Sequence, residues 1–398
     1  MAPAAAVAPS TLQVHVRDLK EDEVPQRYKW PDNDLRDGLF VKPTETSRLG
    51  GGPEEKADDE SLPILDLSIL TSGSEVERTK LAMAMGRAAE SWGFFQVINH
   101  GVPDDVIAEM EENGRRFFED LPLDVKERCV ETDPGKHTYY HGYGGRFQHL
   151  TARVPWLEYL AECYHPINGV DGLLKKVHPG VGDPTFCNAV DAYSEALVKL
   201  GRQILELLAE SLDLSHDFFS QHFSDSTRYQ AHWRFNHYPR CPEPTQVLGL
   251  APHTDPCGIT IVRQDQVGGF QLKNKGHWYD VQPLEGSFLI NIGDCLEAWT
   301  NGRFSSVLHR AMVNETIDRL SIVFPFSPAA DFDVCVPPFL IDEAHPLRYP
   351  SPIEWHHLAV IKGNHVSKEA LSAKFGLKKR AGYQFERTKW RSVLASRC

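Results

Sequence analysis

Apolar residues recur at helical spacing in three long stretches of the first half of the chain. Residues 75–91 and 104–119 each place apolar side chains three or four positions apart. Side chains at that spacing share one side of a helix, so both stretches predict amphipathic helices that pack on a core. The longest pattern covers residues 184–212. Its inward-facing positions are predicted to be Val190, Leu197, Leu200, Ile204 and Leu208.

Short apolar runs punctuated by Gly and Pro dominate the chain from about residue 228. They cover residues 233–238, 258–263, 269–272, 287–292, 307–313 and 320–326. Several short strands separated by turn residues are typical of a β-barrel or β-sandwich. Two more strands are predicted at residues 62–67 and 94–98. The pattern therefore predicts an α+β protein in which helices pack around one antiparallel β core.

Four regions follow from these patterns. Residues 1–60 are rich in Ala, Pro, Gly and charge, which predicts a flexible lead-in, although the aromatic Tyr28 and Trp30 predict that its Trp-Pro segment docks on the body. Residues 61–227 form a helix-rich region and residues 228–353 the β core. Residues 354–398 return to helical spacing.

Composition excludes several classes of protein. The formal net charge is -13, from 42 Lys and Arg against 55 Asp and Glu, so no basic footprint for nucleic acid is expected. Apolar runs fall short of the roughly 20 residues that a membrane-spanning helix needs. The eight cysteines are widely spaced and the N-terminus has no secretory pattern, which predicts a cytoplasmic protein with free thiols.

Three residues in the β-rich half have the chemistry of metal ligands. His253 and Asp255 are two positions apart, so in an extended segment both side chains point to one face. Among the eighteen histidines, His253 is the only one with an acidic residue two places on. His309 lies in a later apolar strand that would turn its ring inward. Two imidazoles and one carboxylate make the facial triad that leaves three positions of octahedral iron(II) open.

A second group predicts a carboxylate-binding site nearby. Arg319 and Ser321 share one face of the last strand, and an inward guanidinium is costly unless an anion meets it. The planar fork of Arg pairs with a carboxylate through two hydrogen bonds, and the Ser hydroxyl adds a third. Tyr238 could donate to the same carboxylate, and Asn236 falls on the same face as Tyr238. Taken singly, each of these residues is also compatible with ordinary packing or a structural ion pair.

In their order and spacing, these residues resemble the plant 2-oxoglutarate and iron(II)-dependent dioxygenases. The matching motifs are Asn236-x-Tyr238-Pro239, His253-Thr254-Asp255, His309 and Arg319-x-Ser321, and residues 91–102 resemble a second segment common in that family. The resemblance implies a double-stranded β-helix, or jelly roll, flanked by helices and holding Fe(II) in its mouth. It also implies 2-oxoglutarate as co-substrate, held by Arg319, Ser321 and Tyr238, with O2 as oxidant and ascorbate as a stimulant.

Within that family the chain is most similar to gibberellin 20-oxidases. The likeness includes residues 24–31, 145–147, 155–158, 252–256, 264–269 and 301–304. It departs from their pattern at Leu157 and Tyr159, at Thr254, where Cys is common, and at His237, so the cofactor chemistry is better supported than the substrate. The implied substrate is a small, largely apolar plant metabolite oxidised at an unactivated C–H, as in gibberellin biosynthesis.

The residues predicted to line the substrate pocket are aromatic and come from both the N-terminal and the C-terminal half of the chain. They are Phe147, Trp156, Phe235, Phe304 and Phe326, with Arg146 or Arg153 meeting a substrate carboxylate. For the aromatic residues, plain core packing is the alternative.

Three alternative functions stay open at this point. A dioxygenase of secondary metabolism could act on a flavonoid or an alkaloid instead. A zinc hydrolase could use the same three ligands with a bound water, but Arg319, Ser321 and Tyr238 would then have no role. A non-catalytic binding protein of the same fold would be expected to have lost a ligand, whereas all three are present. The sequence does not predict the oligomeric state or the number of successive oxidations.

Overall fold

The computed structural model describes residues 24–30, 61–129, 142–144, 154–165, 184–227, 229–349 and 351–354. Its helices are α1 (Ile69–Ser72), α2 (Glu75–Ser91), α3 (Asp104–Glu119), α4 (Leu123–Glu127), α5 (Pro184–Glu210) and α6 (Asp294–Trp299), with 3-10 turns at Ser220–Phe223, Asp225–Thr227 and Pro338–Leu340. Its strands are β1 (Ile64–Asp66), β2 (Phe94–Ile98), β3 (Gly142–Tyr143), β4 (Glu158–His165), β5 (Gln230–Tyr238), β6 (Leu250–His253), β7 (Ile259–Gln264), β8 (Phe270–Asn274), β9 (His277–Val281), β10 (Phe288–Ile292), β11 (His309–Ala311), β12 (Arg319–Ser327), β13 (Asp333–Val334) and β14 (Ile353–Glu354).

The predicted helices form where the apolar spacing places them. Helix α2 begins with a capping box, in which the Ser74 hydroxyl accepts from the Glu77 N–H and the Glu77 carboxylate accepts from the Ser74 N–H. Helix α5 ends two residues earlier than predicted, at Glu210. The five positions predicted to face inward on α5 are all buried, which confirms the interpretation of that pattern.

The strands form two large sheets that face each other. One has eight strands in the order β1-β2-β10-β7-β12-β5-β4-β3, and the other has four in the order β6-β11-β8-β9. Pairing is antiparallel throughout both sheets except between β1 and β2, which are parallel. Short β13 and β14 make a separate pair. The arrangement is that of the predicted jelly roll, with one exception to the expected all-antiparallel core.

Two apolar clusters fix the position of the sheets. The first cluster lies between the two sheets, where Phe94, Val262 and Leu289 of the large sheet pack with Phe270 and Leu272 of the small sheet. On the other face of the large sheet, helices α2, α3 and α5 pack on the remaining apolar side chains of β5, β7, β10 and β12. The large sheet is therefore covered on both faces, one by helices and one by the small sheet.

The region predicted as helix-rich also supplies part of the β core. Strands β1 to β4 lie between residues 64 and 165, yet they flank both edges of the eight-stranded sheet. A boundary near residue 228 therefore does not separate the helices from the sheet. The predicted helical segment at residues 354–398 lies, apart from Glu354, outside the described residues.

The described part of the N-terminal region contacts the jelly roll. Tyr28 is fully buried, and its ring meets that of Trp156 edge to face at 5.2 Å between centroids. The Glu243 carboxylate accepts from the Val24 N–H at 2.9 Å and from the Lys29 ammonium at 2.8 Å. These contacts hold residues 24–30 against the segment before β4 and the loop that follows β5.

No disulfide joins any two of the seven cysteines in the described residues. In the same part of the chain, every helix is too short or too polar to cross a lipid bilayer.

Candidate metal centre and 2-oxoglutarate site

The three predicted metal ligands meet at one end of the small sheet. His253 ends β6, His309 begins β11, and the two residues are directly paired in the antiparallel ladder. Their ring centroids are 4.1 Å apart, and Asp255 follows two residues after His253. One ligand atom from each of the three residues lies within 4.8 Å of the other two. Three donors this close can coordinate a single ion.

Both histidines present the same nitrogen to the centre. The Nδ1 of His253 lies 2.9 Å from the Ala251 carbonyl oxygen, and the Nδ1 of His309 lies 3.1 Å from the Val307 carbonyl oxygen. A carbonyl only accepts, so each Nδ1 carries the proton and each Nε2 keeps its lone pair for a metal. The two Nε2 atoms lie 3.6 and 3.8 Å from the oxygens of Asp255.

The environment favours the ligating protonation states. Burial and the neighbouring His309 lower the pKa of His253 to about 4, although 31% of its side-chain surface remains exposed. Burial alone would raise the pKa of Asp255, but the two imidazoles and two hydrogen bonds together hold it below its usual value. Those bonds come from the Thr260 hydroxyl at 2.6 Å and the Asn291 amide at 2.9 Å, both to Oδ2.

Arg319 lies on the inner face of the large sheet with an incomplete set of partners. Its side chain is 1% exposed, and Nη2 donates to the Gln264 Oε1 at 3.0 Å. Its Nε and Nη1 are buried without a hydrogen-bond partner among the described residues. A buried guanidinium with two free donors requires an anionic group, because leaving such donors unpaired is costly. The burial of Arg319 agrees with the predicted inward guanidinium, and its binding of a 2-oxoglutarate carboxylate stays a prediction.

Strand pairing brings the other predicted 2-oxoglutarate residues beside Arg319. Arg319 pairs with Tyr238, and Ser321 pairs with Asn236, in the β12–β5 ladder. The Arg319 guanidinium lies over the Tyr238 ring at 4.9 Å from its centroid. Tyr238, Ser321 and Asn236 are all buried. The Asn236 side-chain oxygen already accepts from Arg234, so a role for Asn236 in binding 2-oxoglutarate stays a prediction that involves its amide nitrogen.

These residues fit iron(II) and 2-oxoglutarate. Two neutral imidazoles and one carboxylate are the donor set of iron(II) oxygenases, and they leave open positions on the ion. The unpaired donors of Arg319 match a carboxylate that is brought in with the co-substrate. A hydrolytic zinc site would leave those donors without a function.

Arg234 is a charged residue of this face that the sequence interpretation missed. It lies two residues before Asn236 on β5, is half-buried, and donates from Nε to the Asn236 oxygen at 2.6 Å. Its guanidinium lies over the Tyr159 ring at 4.1 Å. In the β12–β5 ladder Arg234 pairs with Val323, so it lies on the strand face that also carries Asn236 and Tyr238. The alternation of β5 could have indicated it, because Arg234 shares parity with Asn236 and Tyr238.

Two predicted substrate-wall residues point away from the metal centre. A Cβ on Gly114 of α3 would lie 2.6 Å from the Phe235 ring, and one on Gly201 of α5 would lie 2.9 Å from the Phe326 ring. Phe235 and Phe326 therefore pack on the helix-covered face, and their assignment to the pocket was wrong. The physical reason is alternation, since each has opposite parity to the site residues of its own strand.

Trp156 and Phe304 are also buried in packed clusters. Trp156 packs on Tyr28 and donates from Nε1 to the Pro239 carbonyl oxygen at 2.9 Å. Phe304 is 1% exposed and belongs to the core beneath the helices. Arg146, Phe147 and Arg153 lie outside the described residues. A role of Trp156, Phe304 or Phe147 in the substrate pocket therefore stays a prediction.

Comparisons with known proteins agree with this geometry. The sequence profile of the 2OG-Fe(II) oxygenase superfamily matches residues 229–328, which include all the site residues above. The profile described as non-haem dioxygenase in morphine synthesis N-terminal matches residues 62–171. The two matches cover both parts of the eight-stranded sheet.

Similar curated proteins come from plants. The chain is 30% identical to gibberellin 20 oxidase 1-D of Triticum aestivum over 342 residues, covering 84% of this chain and 87% of the relative. It is 33% identical to gibberellin 20 oxidase 2 of Oryza sativa subsp. japonica over 339 residues, covering 84% and 80%. It is also 33% identical to jasmonate-induced oxygenase 2 of Arabidopsis thaliana over 342 residues, covering 85% and 86%.

Solved structures share the fold. The crystal structure of JOX2 in complex with 2OG, Fe, and JA superposes with a TM-score of 0.69 at 30% identity, covering 88% of this chain and 93% of that one. The rice dioxygenase for auxin oxidation superposes with a TM-score of 0.63 at 27% identity, covering 79% and 99%. With the His-Asp-His centre and the buried arginine in place, the chain belongs to the 2OG-Fe(II) oxygenase superfamily and is an iron(II)- and 2-oxoglutarate-dependent dioxygenase of the plant type.

Proposed function

We propose that this dioxygenase oxidises an unactivated C–H of a small, largely apolar plant metabolite that carries a carboxylate, and that a gibberellin-type diterpenoid acid is the first candidate. Its similarity to gibberellin 20-oxidases supports that choice. The observation that supports a substrate carboxylate is the position of Arg234. This half-buried cation lies on the same face of β5 as the predicted 2-oxoglutarate residues.

The roles of the site residues follow from their surroundings. His253, Asp255 and His309 hold iron(II), because their three ligand atoms converge and their second atoms are fixed by hydrogen bonds. Arg319 pairs with the far carboxylate of 2-oxoglutarate through the donors that lack a protein partner, and Ser321 and Tyr238 lie close enough in the ladder to assist. Bound iron(II) and 2-oxoglutarate supply the oxidising power, by coupling conversion of 2-oxoglutarate and O2 to succinate and CO2 to substrate oxidation.

The remaining task of the chain is to orient the substrate. Arg234 would give a substrate carboxylate a fixed partner on the strand face that carries the 2-oxoglutarate residues, so that one part of an otherwise apolar molecule is presented for oxidation. A charged partner also favours acids over neutral molecules, since neutral molecules offer the guanidinium no opposite charge.

Other acids are the second candidate, because jasmonate-induced oxygenase 2 has comparable identity over a comparable length. A flavonoid or alkaloid substrate of secondary metabolism gains no support from Arg234, since neither class is defined by a carboxylate.

The test is substrate-stimulated succinate release by protein purified anaerobically with iron(II). We expect stimulation by diterpenoid acids in a panel that also contains jasmonate-type acids, flavanones and alkaloids. Silence from every diterpenoid acid, with activity on another class, would overturn the gibberellin proposal. Asp255→Ala should abolish succinate release from all substrates, because two imidazoles alone hold iron poorly; turnover retained by a folded Asp255→Ala protein would overturn the metal assignment.

The same assay tests Arg234 through matched substrates. Arg234→Leu should raise the KM for the active acid roughly 10- to 100-fold, because a hydrogen bond to a charged group contributes about 1.5–3 kcal/mol. It should change the KM of the methyl ester of that acid little, and Arg240→Leu, at an exposed position, is the control. Equal effects on acid and ester would show that Arg234 does not bind the carboxylate.

A further inference from the structure

The first turn of α6 contacts the loop that carries Asp255. Three consecutive backbone N–H groups donate to carbonyl oxygens of this loop: Gly293 to Gly258 at 2.9 Å, Asp294 to Asp255 at 2.7 Å, and Cys295 to Cys257 at 3.1 Å. The unpaired N–H groups that begin every helix are thus satisfied here by the loop that bears a metal ligand.

This contact is so close that it requires glycine at the position before α6. A Cβ on Gly293 would lie 2.1 Å from the Cys257 carbonyl oxygen and 3.1 Å from that of Asp255. The backbone of the β10–α6 junction therefore lies directly against the backbone of the ligand loop.

The Asp294 side chain contacts both chain segments that carry predicted metal ligands. One of its oxygens accepts from the Thr254 hydroxyl at 3.1 Å, and the other accepts from the Ser306 hydroxyl at 2.7 Å. Thr254 stands between the ligands His253 and Asp255, and Ser306 lies three residues before His309. Asp294 is completely buried. A single carboxylate thus joins the two segments that deliver the three ligands.

Strand pairing fixes the relative position of these segments only in part. The β6–β11 ladder shifts register between His309 and Ala311, and Asp255 lies beyond the end of β6. The distance between the ligand atoms of the two segments therefore depends on contacts outside the ladder.

We propose that Asp294 is a positioning residue that sets the separation of the two ligand-bearing segments, and thereby the affinity for the metal, through its paired bonds to Thr254 and Ser306. This inference rests on the proposed metal ligands but concerns residues that do not touch the metal. Partners of this kind typically change metal affinity by about 10- to 100-fold when they are removed.

The test measures metal binding without turnover. Metal-free protein is titrated anaerobically with Co(II), whose absorption spectrum reports its coordination, and the dissociation constant is compared among variants. Thr254→Val and Ser306→Ala should each weaken Co(II) binding by about 10-fold. Thr254→Ser keeps the hydroxyl and should bind like the parent. Ser305→Ala is the matched control, because the Ser305 hydroxyl donates to the Glu90 carbonyl oxygen instead.

A variant that combines both substitutions tests whether the Asp294 carboxylate bridges the two hydroxyls. Since both hydroxyls act through one carboxylate, Thr254→Val combined with Ser306→Ala should lose less affinity than the product of the two single losses. Fully multiplicative losses would show that the two bonds act independently and would overturn the bridging role.

Two further outcomes are decisive. If the parent binds Co(II) and the single variants bind it equally well but melt at lower temperature, Asp294 has only a structural role and this inference fails alone. If the parent does not bind Co(II) at the three ligands, the proposed function and this inference both fail.

Discussion

At the residue scale, the chemistry of the site depends on groups whose partners come from other parts of the chain. The buried guanidinium of Arg319 was predicted from its place on a strand, and its two unpaired donors give it a partner of defined shape. Phe235 and Phe326 were assigned by residue type without regard to strand parity, and both lie on the opposite face. Arg234 was missed for the same reason.

Arg319→Lys should raise the KM for 2-oxoglutarate by about 10-fold or more and lower kcat less. Lysine keeps the charge but is a point donor, so it cannot form the paired hydrogen bonds of a guanidinium. The measurement is succinate release as a function of 2-oxoglutarate concentration. Arg263→Lys is the control, because Arg263 lies on the neighbouring strand β7 but pairs with Glu111 of α3 at 2.7 Å. An unchanged KM in Arg319→Lys would argue against co-substrate binding by Arg319.

At the element scale, the long helices were predicted within two residues, whereas the short helices α1, α4 and α6 were not predicted. The bounds of α2, β2 and α3 agree with the apolar spacing, because a helix satisfies its own hydrogen bonds and its pattern is local. The order of the strands and the parallel pairing of β1 with β2 depend on which segments meet. One ion pair illustrates how the elements are then joined: Arg78 of α2 binds Glu210, the last residue of α5, at 2.8 Å.

This junction predicts a pH-dependent contribution to stability. Burial raises the pKa of Glu210, but hydrogen bonds from Arg78 and His216 outweigh it, so the pKa lies below the ordinary 4.5. A carboxylate with a lowered pKa stabilises the fold above its unfolded-state pKa, and that stabilisation is lost as pH falls through the folded-state pKa. The pair is partly exposed, and His216 also contacts Glu206, so the effect is small.

Glu210→Gln should therefore destabilise the protein by about 0.5–1 kcal/mol at neutral pH and by less below about pH 4. Urea unfolding at the two pH values measures the difference. Glu112→Gln, at an exposed position on α3, should show neither effect. A loss in Glu210→Gln that is equal at both pH values would mean that the carboxylate charge is not responsible.

At the scale of the whole molecule, residues distant in sequence complete the jelly roll. The N-terminal segment 24–30 packs on the loop after β5, and β1 to β4 extend the sheet that carries Arg319. The two aromatic residues of that segment predicted the docking, but the partners Trp156 and Glu243 became known only from the fold.

Tyr28→Ala should lower the free energy of unfolding by about 3 kcal/mol, since removal of a buried aromatic ring leaves a cavity. Urea denaturation of the full chain measures the loss. Lys29→Ala removes only a partly exposed ion pair with Glu243 and should cost about 1 kcal/mol or less. If Tyr28→Ala is as stable as the parent, docking of the segment does not stabilise the jelly roll.

The sequence by itself determined the α+β class, the bounds of α2 and α3 and the candidate metal ligands. These depend on local periodicity and on side-chain chemistry, both of which are expressed over a few residues. Only the tertiary structure decided the order of the strands, that Arg319 lies beside Tyr238, and that Asp294 joins Thr254 to Ser306. Those relations depend on strand register and on contacts between segments tens of residues apart, which no local pattern specifies.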